Sequence, residues 1–155
     1  MTGTFADRRE AGRLLADELV HLRAERPVVV GIPRGGVPVA RAVADALSAP
    51  LDVIVVRKLG APWQPEMAMG AIGEDGVRVL DDRWVTVAGV THDQLAEIEA
   101  RGRAELDRRV RAYRRDRPRV RLRDRVVVVV DDGIATGSTA QAACRIARAE
   151  GAKRV

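Results

Sequence analysis

Two adjacent carboxylates and a turn rich in glycine and hydroxyl groups stand together in residues 131–139 (DDGIATGST). This segment follows five consecutive valines (126–130), which predict a buried strand, and precedes a run with helical periodicity. Free backbone N–H groups and the helix dipole favour a phosphate at a helix N-terminus. Because two acids would repel a phosphate alone, the combination favours a ligand that also carries hydroxyl groups, such as ribose 5-phosphate.

Two further segments offer groups for an anion. Residues 31–36 (GIPRGG) follow a short β-branched run, and their glycines would let the backbone approach a ligand while Arg34 adds donors. The segment does not match the G-x-G-x-x-G dinucleotide motif, and a purely structural turn is the alternative. Arg57 and Lys58 end a second strand-like run. Lys58 is one of two lysines beside 25 arginines, and an ordinary cation at a strand end is the alternative there.

Residues 126–140 resemble the phosphoribosyl diphosphate (PRPP) binding signature of type I phosphoribosyltransferases: an apolar strand, paired acids, small residues and then Thr-Gly-x-Thr. The resemblance implies that Asp131 and Asp132 hold the 2′- and 3′-hydroxyls of ribose. The 5′-phosphate site that it implies consists of Ala135, Thr136, Gly137, Ser138 and Thr139.

Residues 31–36 resemble the pyrophosphate loop of the same family, which implies that Arg34, Gly35 and Gly36 contact the diphosphate. In this family a basic residue at the end of the second strand also contacts the diphosphate, sometimes that of a neighbouring subunit. Arg57 and Lys58 hold that position. By the same resemblance, residues 59–75 form a flap that closes over the ligand. Segment 53–76, taken with the GIPRGG loop, resembles a bacterial subgroup of predicted phosphoribosyltransferases.

The activity implied by the resemblance is transfer of the 5-phosphoribosyl group of PRPP to a nitrogen acceptor, expected to be a nucleobase, with release of diphosphate. Asp131, Asp132, Arg34 and Lys58 would be the catalytic residues. Mg²⁺ would be held mainly by PRPP oxygens, without a dedicated cluster of protein ligands, and the protein would be a homodimer. The family recognises its acceptor with a hood and strands beyond the last helix, so we expect these parts to be incomplete in a chain that ends at Val155.

Other functions stay open for the same residues. A Walker B strand would need a Gly-Lys-Ser/Thr loop, which the sequence lacks, and a receiver domain would carry its acids after the first strand. A non-catalytic sensor of PRPP or nucleotides on the same fold, with RNA or DNA bound through a basic helix, is the main alternative. A structural module of a larger assembly with vestigial sites is another.

The elements that position these residues alternate between strand and helix, which predicts a doubly wound, mainly parallel α/β sheet. We expect one domain, 1–155, with a flap and hairpin at 57–80 and a basic helix at 91–115 that starts with the capping-box spacing Thr91 to Gln94. Residues 57–66 are predicted to be loop, and the final residues to begin a further strand. The other predicted helices are 7–23, 37–47 and 138–150; the predicted strands are 28–32, 51–56, 67–73, 77–80 and 126–130.

Charge and composition narrow the classes of protein. The net charge of +5 comes from residues 101–125, where twelve arginines and four acids give +8, while the remaining 15 cations and 18 acids give −3. We expect these arginines to form a solvated face, and a subunit contact or an anion-binding surface is the alternative. Nucleic-acid binding is not expected, because neither a recognised motif nor interleaved aromatic residues accompany the charge. Glu66, Glu74 and Asp75 are expected to be loop charges. The absence of a signal peptide, of a long apolar run and of a second cysteine predicts a cytoplasmic protein without a membrane span.

Overall fold

The computed structural model describes residues 5–155, so the first four residues of the predicted domain lie outside the description. The strands in this part of the chain are β1 (Val28–Gly31), β2 (Leu51–Val53), β3 (Arg57–Ala61), β4 (Gln64–Ile72), β5 (Arg78–Leu80) and β6 (Val127–Val130). The α-helices are α1 (Arg8–Leu19), α2 (Gly36–Leu47), α3 (Asp82–Ala88), α4 (His92–Arg114) and α5 (Ser138–Ala149). Short 3-10 helices span Val20–Glu25 and Glu74–Gly76.

The central sheet contains three parallel strands in the order β2-β1-β6. Successive side chains of a strand face opposite sides, and β1 shows the consequence. Val29 packs with α1 and α2, whereas Val28 and Val30 pack with α5. Because helices cover both faces of a parallel sheet, the predicted doubly wound, mainly parallel α/β fold is confirmed.

A second, antiparallel sheet has the order β3-β4-β5. The predicted pairing of residues 67–73 with 77–80 is present, with Ile72 opposite Arg78. The prediction of a loop over 57–66 was wrong, because β3 and β4 form a hairpin there. Its glycine and proline mark irregular pairing rather than a loop: a Cβ on Gly60 would lie 2.9 Å from Pro65 Cα, and the register shifts on both sides of Gly60.

Some boundaries differ from the expected ones. The first helix is α-helical only to Leu19 and continues as a 3-10 helix. The second strand pairs only as far as Val53, although residues 54–56 stay buried on the way to β3. Helix α3 was not predicted; the side chain of Asp81 caps its start. The capping box of α4 is present, with both the Thr91 and the Gln94 side chains accepting backbone N–H bonds.

The expected start of a further strand is present as a single parallel bridge between Val126 and Arg154. The Val127 amide donates to the Arg154 carbonyl at 2.8 Å. No helix within residues 5–155 is long and apolar enough to cross a membrane.

A buried ion cluster ties the end of α4 to the turn Glu74–Gly76 and to β2. Arg114, only 5% exposed, donates to both carboxylate oxygens of Glu74, to Asp52 Oδ1 at 2.7 Å and to the Val53 carbonyl at 2.8 Å. Burial alone would lower the pKa of the Arg114 guanidinium, but the bonds to Glu74 and Asp52 outweigh that effect and raise it.

This cluster corrects two expectations. Glu74 is not a solvated loop charge, and Arg114 is not part of a solvated face, because each is buried against the other. The neighbouring Arg119 extends the cluster with 2.6 Å bonds to Asp75 and to Glu150. A sequence pattern on α4 alone does not reveal these contacts, since they join residues at least 31 positions apart.

Candidate active site

The predicted ligand-binding loops meet at the carboxyl edge of the central sheet. Residues 32–35 follow β1 and residues 131–137 follow β6, and these two strands are neighbours. The Ile32 amide donates to the Val130 carbonyl at 2.9 Å. Open α/β sheets bind ligands at this edge, so the fold brings the two glycine-containing segments together at an expected position.

Glycine lets these loops approach each other closely. A Cβ on Gly36 would lie 2.6 Å from the Val130 carbonyl oxygen and 2.8 Å from Asp131 Cα. A Cβ on Gly35 would collide with the carboxylate of Asp132. The peptide bond between Pro33 and Arg34 is cis. The two loops therefore form one continuous surface on which both acids lie beside the backbone of residues 35–36.

The adjacent carboxylates occupy different environments. Asp131 is partly buried, and its Oδ1 accepts a bond from the Asp132 amide at 2.8 Å. Burial, with a smaller contribution from the Asp132 charge, raises the pKa of the Asp131 carboxyl. Asp132 is exposed, and the Arg8 guanidinium beside it lowers the pKa of its carboxyl. One acid thus lies toward the strand end and the other toward solvent.

Residues 133–140 and Asp131 enclose a small pocket of about 150 Å³. Gly137 has φ 78°, in the left-handed region, and directly precedes α5. The first amides of a helix have no partner within it, so those of α5 after Ser138 are available to an anion. The Ser138 amide makes a long bond to Thr136 Oγ1 at 3.4 Å. The Thr136 and Ser138 hydroxyl oxygens lie 3.0 Å apart. Asp131 therefore shares a pocket with the hydroxyl-rich turn, whereas Asp132 lies beside Gly35.

The structure separates Arg57 from Lys58. Consecutive residues of a strand face opposite sides, so the two side chains diverge. Lys58 Nζ donates to Ser138 Oγ at 2.8 Å and lies 3.6 Å from Glu66, which places this cation at the start of α5. Arg57 runs toward α4, with its Cδ 3.8 Å from the position of a Cβ on Gly102. Neither the contact of Lys58 with Ser138 nor that of Arg57 with α4 brings these residues to the GIPRGG loop.

Arg34 is exposed on that loop, and within residues 5–155 no hydrogen bond or ion pair of its guanidinium is present. A free guanidinium beside Gly35 and Gly36 is available to a polyanion. One residue that the sequence did not suggest also reaches this edge: Arg8 binds Asp132, 124 positions along the chain. No local pattern signals a contact of this kind.

A larger cleft of about 720 Å³ lies between the β3–β4 hairpin and α4. It adjoins the small pocket, because Thr139 lines both. Most of the basic side chains that line this cleft form ion pairs with acids, such as Arg101 with Glu97 at 3.1 Å. The cleft is the larger space, but the paired acids and the glycine-rich loops lie outside it.

Within the described part of the chain, no group of three or more His, Cys, Asp or Glu side chains is arranged to hold a metal ion. The carboxyl edge of the central sheet offers instead the two carboxylates of Asp131 and Asp132, with hydrogen-bond donors from Arg34 and from the turn before α5. Such a set suits an ion that brings most of its oxygen ligands with a bound substrate.

The chain matches known proteins over nearly its whole length. The family model for the phosphoribosyl transferase domain matches residues 5–155. Two Mycobacterium tuberculosis proteins, from strains CDC 1551 and H37Rv and each named "Putative phosphoribosyl transferase", are 56% identical over 151 residues. These matches cover 97% of this chain but 34% of each relative, so the chain spans about a third of their length.

A solved structure has the same fold. The crystal structure of TT1426 from Thermus thermophilus superposes with a TM-score of 0.92 at 47% identity, covering 99% of this chain and 73% of that one. With the family model matched from residue 5 to the last residue, the resemblance drawn from residues 126–140 is confirmed. The chain belongs to the phosphoribosyl transferase domain family.

Proposed function

We propose that this chain binds PRPP at the carboxyl edge of the central sheet and transfers its 5-phosphoribosyl group to a nitrogen acceptor, expected to be a nucleobase. The observation that carries the proposal is the shared pocket of Asp131 and the turn before α5, with Asp132 beside Gly35. One ligand could occupy both parts of this edge. Its phosphate would lie at the N-terminus of α5, and its ribose hydroxyls would lie at the carboxylates of Asp131 and Asp132.

The reaction forms a bond from the acceptor nitrogen to C1′ of ribose and breaks the bond from C1′ to the diphosphate oxygen. The diphosphate leaves with the electron pair, and the acceptor nitrogen loses its proton to solvent. The protein mainly has to position the reactants and stabilise the departing charge. Arg34 and the Gly35 amide are suited to that charge, because they lie together on the loop after β1. The Gly36 amide already donates to the Ile32 carbonyl at 3.0 Å, so Gly36 would contribute close backbone approach rather than a free donor.

The acids act at the other end of the sugar. Asp131 and Asp132 would accept hydrogen bonds from the ribose hydroxyls and face the positive charge that develops on the ring. The 2.8 Å bond from Lys58 to Ser138 supports a role for this lysine at the 5′-phosphate rather than at the diphosphate. Residues 135–139 would complete that phosphate site with amides and hydroxyls.

PRPP oxygens would be the main ligands of Mg²⁺ at this edge, and Asp131 and Asp132 are the carboxylates that would help to hold it. It would neutralise charge on the diphosphate and so make it a better leaving group. A homodimer, a cytoplasmic location and a flap that closes over the ligand stay predictions.

Calorimetry with PRPP and Mg²⁺ tests the proposal. The unchanged protein should bind PRPP, and the double variant Asp131→Asn with Asp132→Asn should lose measurable binding, because neutral amides accept ribose hydroxyl bonds less strongly than carboxylates do. The matched control is Asp17→Asn with Glu18→Gln, which removes two adjacent exposed carboxylates from α1. Equal affinity in the double variant and the control would refute the proposed site.

A screen of purine and pyrimidine acceptors for diphosphate release then tests catalysis. Release with at least one acceptor, abolished in the double variant, is the expected result. PRPP binding without release on any acceptor would favour the non-catalytic sensor instead.

A further inference from the structure

Arg8 reaches the proposed ribose site from outside both ligand-binding loops. It is the first residue of α1, and the Asp7 side chain caps this helix by accepting the Glu10 amide at 2.8 Å. The Arg8 Nε and Nη2 atoms donate to the same oxygen, Asp132 Oδ2, at 2.9 and 2.7 Å. The start of α1 is thereby linked to the end of β6.

The Asp132 carboxylate is held from two sides. Arg8 binds Oδ2, and the backbone of Gly35 lies so close that a Cβ there would collide with the carboxylate. Within residues 5–155, no donor binds the other oxygen, Oδ1. One oxygen of Asp132 is therefore used to fix its orientation, and the other is free to accept a bond from a ligand.

From this geometry we propose that Arg8 is a positioning residue, which holds Asp132 in place to receive a ribose hydroxyl at Oδ1. The inference rests on the function proposed above and adds a residue to its site. The Arg8 guanidinium also lowers the pKa of the Asp132 carboxyl, which further favours the ionised, acceptor-only form of this acid.

The same contact also permits the opposite effect, in which Arg8 blocks the acid until a ligand displaces it. Two features favour positioning. The guanidinium and a ribose hydroxyl can use different oxygens of the carboxylate. PRPP is a polyanion, so the neutralisation of one of two adjacent carboxylates reduces repulsion at the site. The first feature means that Arg8 does not have to leave when a ligand binds, and the second predicts that loss of Arg8 weakens PRPP binding.

Calorimetry with three probes, Mg-PRPP, ribose 5-phosphate and inorganic phosphate, tests this role. Arg8→Gln should weaken binding of PRPP and of ribose 5-phosphate by about three- to five-fold, as expected for an exposed ion pair. Affinity for inorganic phosphate should fall by less than about two-fold, because that probe uses only the turn before α5 and makes no bond to Asp132. Arg8→Lys should restore part of the loss, since it keeps the charge but not the paired donors.

Arg9→Gln is the matched control, because it removes the same charge from the next residue, which does not contact Asp132. Equal affinities in the Arg8→Gln and Arg9→Gln variants would overturn the inference alone. Tighter PRPP binding by Arg8→Gln would assign a blocking role and also overturn it, as would an equal loss of phosphate binding. If the unchanged protein does not bind PRPP, the proposed function fails and this inference with it.

Discussion

At the scale of single residues, two glycines let the loop of residues 131–137, the acidic loop, share one surface with the GIPRGG loop. Gly35 leaves room for the Asp132 carboxylate, and Gly36 leaves room for the backbone of residues 130–131. A side chain at either position would have to push the acids away from the edge. The positions of Asp131 and Asp132 thus depend on the residues that face them as much as on β6.

Gly35→Ala is predicted to weaken PRPP binding by about ten-fold or more, because its Cβ displaces the Asp132 carboxylate. Gly133→Ala is the matched control: it lies in the acidic loop, nothing lies within 4 Å of its Cβ position, and its φ is not among the positive ones. That variant should bind PRPP within about two-fold of the unchanged protein. Calorimetry measures both affinities, and similar losses in the two variants would contradict the close-packing account.

Residue types alone predicted part of this site. Acids, hydroxyls and glycines next to a valine strand indicate a phosphorylated sugar, and the structure brings Asp131 into one pocket with residues 136–139. Arg8 could not be predicted, because only the folded chain brings it to Asp132. The contact of Lys58 with Ser138 could not be predicted either, since it depends on the packing of β3 beside α5.

At the scale of elements, the periodicity of apolar residues predicted the parallel strands and the long helices. It failed where tertiary contacts determine the secondary structure of a segment. Helix α4 begins at its predicted capping box, and β6 lies within the valine run. The β3–β4 hairpin was missed because Gly60 and Pro65 resemble loop residues while they sit at bulges. At the hairpin tip, Trp63 Nε1 donates to the Ala88 carbonyl at 3.0 Å, a contact with α3 that no local pattern shows.

Three of the six arginines of α4 bind acids of the same helix. Arg108 and Arg109 both bind Glu105, at 2.7 and 3.0 Å, and they lower the pKa of that carboxyl to about 2. Arg101 binds Glu97 one turn earlier. Arg101 and Arg108 are exposed, in accord with the predicted solvated face, and the expected lack of nucleic-acid binding stays a prediction.

The buried end of α4 should matter more for stability than its exposed length. Arg114→Met is predicted to lower the free energy of unfolding by about 3–5 kcal/mol, because it leaves Glu74 and Asp52 buried without their shared cation. Arg111→Met, on an exposed part of the same helix, should change it by about 0.5 kcal/mol or less. Urea denaturation measures both values. Equal midpoints for the two variants would show that the cluster does not anchor the turn Glu74–Gly76.

At the scale of the whole molecule, the ion cluster that anchors the two sheets lies apart from the candidate active site. The ion cluster around Arg114 fixes the antiparallel sheet to β2, while the loops after β1 and β6 carry the donors and acids at the carboxyl edge. The alternation of strand and helix predicted this arrangement, because parallel strands gather their carboxyl ends at one edge. In the antiparallel sheet beside it, the pattern predicted the pairing of β4 with β5 but not the hairpin of β3 with β4.

The central claim is that the acids and the turn before α5 hold opposite ends of one phosphorylated sugar. The measurement that tests it most directly compares, by calorimetry, the affinities for ribose 5-phosphate and for inorganic phosphate. The unchanged protein should prefer ribose 5-phosphate by about ten-fold or more, the value expected for hydroxyl bonds to two carboxylates. The double variant Asp131→Asn with Asp132→Asn should bind both ligands about equally, while a preference that survives in this variant would contradict the claim.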